Sequence, residues 1–200
     1  TFANNTEGHL SWPAGPVEVP IVVAATGPRM TQATGRFADG AILHQGLSPD
    51  LLARGIDWLR QGAAGRTSKP QANCWAPYSM GQTPAEARDR VRSRVAGALV
   101  NVNATWFEGA ERAAVERLQA TYEVGHHATA AADHASIVPD SLVDRYALAG
   151  TAEEIREGLR RLLDQPGVDR VILNPQIVGP GAKPLDLVLR ELERDVLSYL

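Results

Sequence analysis

The sequence predicts an α/β fold in which the short strands of a parallel sheet alternate with amphipathic helices. Three observations carry that prediction. Four short apolar runs, at residues 20–25, 41–44, 72–76 and 168–173, are continuous rather than alternating, as in strands buried on both faces. Each is followed by a stretch with helical periodicity. Proline at the first turn, or a capping box, marks where those helices begin: Pro28, Ser48-Pro49, Thr83-Pro84-Ala85-Glu86 and Thr151-Ala152-Glu153-Glu154.

Residues 2–16, with their Asn, Gly and Pro, read as an extended or hairpin segment feeding the first strand. Thr26-Gly27-Pro28 ends that strand and opens a helix expected to carry Met30, Ala33 and Phe37 inward. Asp39-Gly40 turns the chain into the second strand. Ser48 is the expected N-cap of the next helix, whose buried stripe is Leu52, Ile56 and Leu59 and which Gly62 and Gly65 end. The third strand is expected to stop at about Pro77, because proline has no amide to give a ladder. Val91, Val95 and Leu99 then line a helix, and a mostly helical insertion follows over about 110–144. Ile155, Leu159, Leu162 and Leu163 mark the inner stripe of the helix capped by Thr151, Pro166-Gly167 breaks it, and the last helix runs from 185 to about 200. All 200 residues read as one domain, with no separate N-terminal unit.

Composition excludes several function classes. The chain carries 20 basic and 23 acidic residues, net −3, which argues against a nucleic-acid-binding surface. Its longest apolar runs fall far short of the roughly 20 residues that cross a bilayer, so no membrane span is expected. The chain opens at Thr1 without a charged-then-apolar leader, so no secretory signal is expected, and the absent methionine leaves room for a natural start upstream. Cys74 is the only cysteine, which excludes an internal disulfide and suits a reducing cytoplasm. Arginine outnumbers lysine strongly, a bias that points to a GC-rich bacterial source.

Repeated β/α units leave a choice between an open sheet and a barrel. Neither G-x-G-x-x-G nor G-x-x-x-x-G-K-[ST] occurs, which disfavours a doubly wound nucleotide fold. Pro20-Ile-Val-Val-Ala-Ala-Thr-Gly-Pro-Arg-Met30, Gly35-Arg-Phe-Ala-Asp-Gly-Ala-Ile-Leu43 and Gly46-Leu-Ser-Pro49 resemble the luciferase-like flavin and deazaflavin oxidoreductases. The resemblance continues through Val138-Pro-Asp-Ser-Leu-Val-Asp-Arg-Tyr146, Ala149-Gly-Thr-Ala-Glu-Glu154 and Gly167-Val-Asp-Arg-Val-Ile-Leu-Asn-Pro175. It implies a (β/α)8 barrel of which this chain is the C-terminal half, about strands five to eight. It implies coenzyme F420 as the cofactor, as in the reductases of the methylenetetrahydromethanopterin type, with FMN and monooxygenase chemistry as the alternative. A non-catalytic half-barrel that serves binding or assembly is the third reading. The expected partners are a small-molecule substrate, the N-terminal half of the barrel on the same or another chain, and further copies in a homo-oligomer.

Barrel chemistry sits at the carboxyl ends of the strands, so the residues just after each apolar run are the candidates. Ala24, Ala25, Thr26, Gly27 and Pro28 form the segment that the resemblance places beside the cofactor. Small side chains there let a flat ring approach the backbone, and the opening amides of the helix suit a phosphate; a plain strand-to-helix turn is the alternative. His44 can hydrogen-bond a ring carbonyl or a substrate, Ser79 offers a hydroxyl with no neighbouring base to activate it, and Asn174 closes the fourth strand. The resemblance also implies an anion-holding role for Arg145, against an ion pair with Asp144 or Asp140. Lys183 in its Gly/Pro loop is a weak phosphate signal. His126, His127, Asp133 and His134 cluster, but adjacent histidines on a helix cannot both face one ion, and no metal is expected. Arg88, Arg90, Arg92 and Arg94 read as a solvated helix surface. No catalytic acid or base is assigned.

Overall fold

A computed structural model describes residues 18–122, 133–177 and 182–200. Its five strands, all paired in parallel, are β1 (Val22–Ala25), β2 (Gly40–Leu43), β3 (Gln71–Met80), β4 (Leu148–Gly150) and β5 (Arg170–Pro175). The helices are α1 (Pro28–Phe37), α2 (Pro49–Gly62), α3 (Pro84–Leu99), α4 (Gly109–Thr121), α5 (Asp140–Tyr146), α6 (Ala152–Leu163) and α7 (Leu185–Asp195). Strand and helix alternate as expected, but β4 is a fifth strand where the sequence predicts four, because its three residues are too short to stand out as an apolar run. The last helix stops at Asp195, and a short 3-10 turn (Leu197–Tyr199) follows it.

Strand β3 organises the sheet. Odd-numbered amides of β3 face β2 and β4: Gln71 donates to the Asp39 carbonyl and Gly81 to the Gly150 carbonyl. The carbonyls of Ala72 and Tyr78 point the other way and accept from Asp169 and Gln176, flanking β5. The main sheet therefore runs β1-β2-β3-β5, and the short β4 continues the β2 side beyond the end of β2. Among the described residues, β1 and β5 have no second strand partner and are open edges. The run expected to stop at Pro77 continues to Met80 for a geometric reason. Pairing with β2 ends at Cys74 and pairing with β4 begins at Tyr78, so the missing amide of Pro77 falls in the gap between them.

One face of the sheet is packed by helices. Cys74, Ala76 and Tyr78 of β3 meet Leu52 of α2, Leu159 and Leu162 of α6 and Leu192 of α7, while Ala41 and Leu43 meet Ile56 and Leu59 of α2. A second cluster joins α3, α4 and α5 through Val91, Leu99, Leu118 and Leu142. The capping box at Thr151 forms as expected, with Thr151 Oγ1 accepting from the Glu154 amide and the Glu154 carboxylate accepting from the Thr151 amide. Ser48 stands at the N-cap of α2, but its side chain makes no capping bond.

Two inward stripes need correction. Leu163 is exposed; Ile155, Gly158, Leu159 and Leu162 form the buried face of α6. In α1 the buried residues are Thr31, Thr34 and Gly35, whereas Met30, Ala33 and Phe37 are exposed, Phe37 to 78%. The cause is the close approach of α1 and α2. A Cβ on Gly35 would stand 2.2 Å from the Leu59 carbonyl oxygen, and one on Gly62 2.0 Å from that of Gln32. Only a small-residue face fits there, so the apolar face of α1 turns outward beside the β1 edge, where Ile21 and Val22 are also exposed.

Candidate active site

The face of the sheet opposite the helices carries every second residue: Ala24, Ile42, Trp75, Ile172 and Asn174 share it by register. Ala24 is exposed and the other four are half-buried. At its carboxyl end, His44 follows β2 and lies against Trp75, ring centres 5.2 Å apart and planes 19° from parallel. Burial holds the His44 imidazole below its ordinary pKa, which favours its neutral form. Across from this pair, Arg94, Gly97 and Ala98 of α3 and Tyr146 of α5 complete the walls of a cavity of about 210 Å³.

The segment Ala24, Ala25, Thr26, Gly27 and Pro28 is the link from β1 to α1. Gly27 is the N-cap of α1 at φ 81°, a left-handed conformation that suits glycine, and a Cβ there would have no atom within 4 Å. The link is braced from behind. Thr31 donates from its amide and its hydroxyl to the Gly27 carbonyl at 3.1 and 2.8 Å. Buried Gln45 donates from Nε2 to the Ala25 carbonyl at 3.3 Å and to Thr31 Oγ1 at 3.0 Å. Strand alternation thus sends His44 to the open face and Gln45 to the packed one.

The remaining candidates separate. Asn174 sits on the open face beside Pro77. Ser79 is 4% exposed and lines a different, small cleft with Tyr78, Gln176 and Lys183. In that cleft Lys183 Nζ is held by both carboxylate oxygens of Glu191, at 2.6 and 2.7 Å. Arg145 is ion-paired, though not with the expected acids: it meets Asp50 at 2.7 Å and Glu111 at 3.6 Å and stacks over Phe107. Asp144 and Asp140 are taken by Arg88 and Arg92, each at 2.7 Å.

Arg88, Arg90 and Arg92 are therefore ties rather than a solvated surface, since Arg90 also pairs with Glu86 and donates to the Met80 carbonyl. Arg94 differs from all three, with no hydrogen bond, ion pair or ring contact among the described residues. That difference had a trace in the sequence. Arg90 has Glu86 four residues before it and Arg92 has Asp89 three before, whereas the neighbours of Arg94 at those spacings are Arg90, Val91, Gly97 and Ala98. Trp75 and Tyr146 left no comparable trace. His126 and His127 lie outside the described residues. His134 is buried with its ring 4.4 Å from that of Tyr122, and no group of three metal-ligating side chains occurs among the described residues.

Comparison with known proteins bears on both fold and site. Residues 2–170 match the family described as luciferase-like monooxygenase. Among solved structures, the chain is similar to the coenzyme F420-dependent tetrahydromethanopterin reductase of Methanopyrus kandleri, with a TM-score of 0.69 at 16% identity, over 90% of this chain and 51% of that one. It is similar to an F420-dependent secondary alcohol dehydrogenase solved with an F420-acetone adduct, with a TM-score of 0.63 at 16% identity, over 92% and 50%. An EDTA monooxygenase from Chelativorans sp. BNC1 matches with a TM-score of 0.55 at 16% identity, over 96% and 46%. The chain thus spans about half the length of the structures it matches. The parallel α/β sheet with two open edges accords with the second half of a barrel, as the resemblance implied.

Proposed function

This chain belongs to the luciferase-like monooxygenase family, and on that premise we propose that it is the C-terminal half of an oxidoreductase that moves a hydride between coenzyme F420 and a small organic substrate. The observation that carries the reading is the cavity at the carboxyl ends of β2 and β3, where the His44–Trp75 pair makes a flat wall and Arg94 brings an unpaired cation. Two features suit a flat deazaflavin ring with a phosphate-bearing tail. The open face beside it is largely apolar, through Ala24, Ile42, Trp75 and Ile172, and Gly27 leaves space above the start of α1. F420, when bound, supplies the hydride chemistry.

The residues of this chain supply position. His44, neutral at neutral pH, can accept or donate one hydrogen bond toward a ring substituent, and Trp75 fixes its plane. Gln45 and Thr31 brace the Ala25–Gly27 backbone, which would stand beside the ring. Asn174 adds a polar group further along the same face. Arg145 acts from outside this cavity, by fixing α5 against α2 and α4 through Asp50 and Glu111.

The reading includes a partner: the N-terminal half of the barrel, on the same or another chain, covering the open edges of β1 and β5. The exposed Ile21, Val22, Met30 and Phe37 on one side, and Leu185, Leu187 and Leu189 on the other, are the surfaces that such a partner would bury. We further take residues 1–200 as one unit with an insertion at about 110–144, working in the cytoplasm as a homo-oligomer. Titrating the intact protein with F420, and separately with reduced FMN and oxygen, tests the function. Saturable F420 binding is expected, with oxidised F420 reduced by an alcohol and reduced F420 reoxidised by the corresponding carbonyl compound. Consumption of FMN and oxygen instead moves the protein to the monooxygenase class, and binding of neither cofactor overturns the proposal.

A further inference from the structure

We propose that the cavity between α3 and the open face of the sheet selects a planar substrate carrying a carboxylate, with Arg94 as the group that pairs with it. The inference rests on the reading of that cavity as the active site and names its substrate class.

Three observations support it. Arg94 is half-buried and makes no ion pair, hydrogen bond or ring contact among the described residues, while its neighbours on α3, Arg88, Arg90 and Arg92, are all engaged. None of the residues that line the cavity is acidic, so an incoming anion meets no like charge there. Finally, the stacked His44 and Trp75 rings and the small Gly97 and Ala98 leave a slot with flat walls, which suits a planar ligand body.

A guanidinium reads a carboxylate through two parallel N–H donors, and the partly desolvated setting strengthens the pairing over that on an open surface. A free acid and a phosphate tail share this oxyanion chemistry, and the test separates them.

Isothermal titration of the intact protein with 4-hydroxybenzoate, its neutral analogue 4-hydroxybenzamide and inorganic phosphate provides that test, with thermal melting as the control for folding. The wild-type protein is expected to bind the benzoate about tenfold or more tighter than the amide. Arg94→Met and Arg94→Gln should erase that preference while keeping the melting temperature. Equal affinity for acid and amide, or benzoate affinity unchanged in both Arg94 variants, overturns the inference. Phosphate binding that depends on Arg94 and excludes the benzoate overturns the substrate assignment and gives the oxyanion to a phosphate-bearing cofactor. Failure of the wider functional reading looks different: Arg94-dependent benzoate binding would persist while neither F420 nor FMN binds.

Discussion

The imidazole of His44 lies over the indole of Trp75, 5.2 Å between ring centres, although 31 residues of chain separate them. Parallel pairing of β2 with β3 brings them together: Leu43 is opposite Cys74, so the next residue of each strand meets on the same face. The same burial that makes the stack holds the imidazole below its ordinary pKa of 6.5. In the unfolded chain His44 takes up a proton as pH falls through about 6.5, while in the folded protein it resists. The unfolded state then binds more protons, so stability falls with acidification from that point down to the folded pKa. His44→Gln should flatten this loss. The drop in Tm between pH 7.5 and pH 5.0 is expected to shrink by on the order of 2 °C, and equal drops in the two proteins would contradict the assignment.

Gly35 holds α1 against α2. A methyl group there meets the Leu59 carbonyl oxygen at 2.2 Å, and backbone cannot step aside as a flexible side chain can. Gly35→Ala should therefore lower stability by about 2 kcal/mol, even though alanine is the better helix former by about 1 kcal/mol. Urea denaturation measures it. A variant more stable than the parent would mean that the two helices are not in this contact.

The Cys74 thiol is fully buried under α2 and α6, and burial pushes its pKa up to about 12. Thiolate is the reactive form, so a disulfide reagent at pH 8 should leave the folded protein unmodified over an hour and label one thiol per chain in 6 M urea. Fast labelling under native conditions is the contrary result.

Arg145 ties α5 to α2 through Asp50, but Asp50 is half-exposed and solvent screens the pair. A double-mutant cycle with Arg145→Met and Asp50→Asn should give a coupling below about 1 kcal/mol. Arg145→Met alone should cost more than Asp50→Asn alone, because it also removes the stack on Phe107 at 5.4 Å. The reverse order of costs would show that the charge, rather than the packing, dominates.

Much of the architecture was legible because strand and helix periods are local. The apolar runs, the Pro28, Pro49 and Pro84 starts and the Thr151 capping box all map onto elements of the fold. The errors have one physical origin. Phe37 was read as a core residue on hydrophobicity alone, but which face of α1 is buried depends on α2, whose Gly62 admits only a close backbone approach. Pro77 was read as a strand end because its missing amide is a local fact, whereas whether any strand needs that amide is a matter of neighbours.

The candidate site divides in the same way. Residue order is enough to show that the chain is built from β/α units and that His44, Asn174 and the 24–28 link stand near the carboxyl ends of strands, because alternation and element boundaries are local. Tertiary structure alone decided which charges are spent and which are free. Arg145, which could hold an anion or an ion pair, and Lys183, a weak phosphate signal, are both ion-paired, while Arg94, expected at a solvated surface, stands beside His44 and Trp75 with no ion pair among the described residues. An ion pair depends on distances of a few ångströms between segments far apart in the chain, such as Asp50 and Arg145, and no local pattern of residues carries that information.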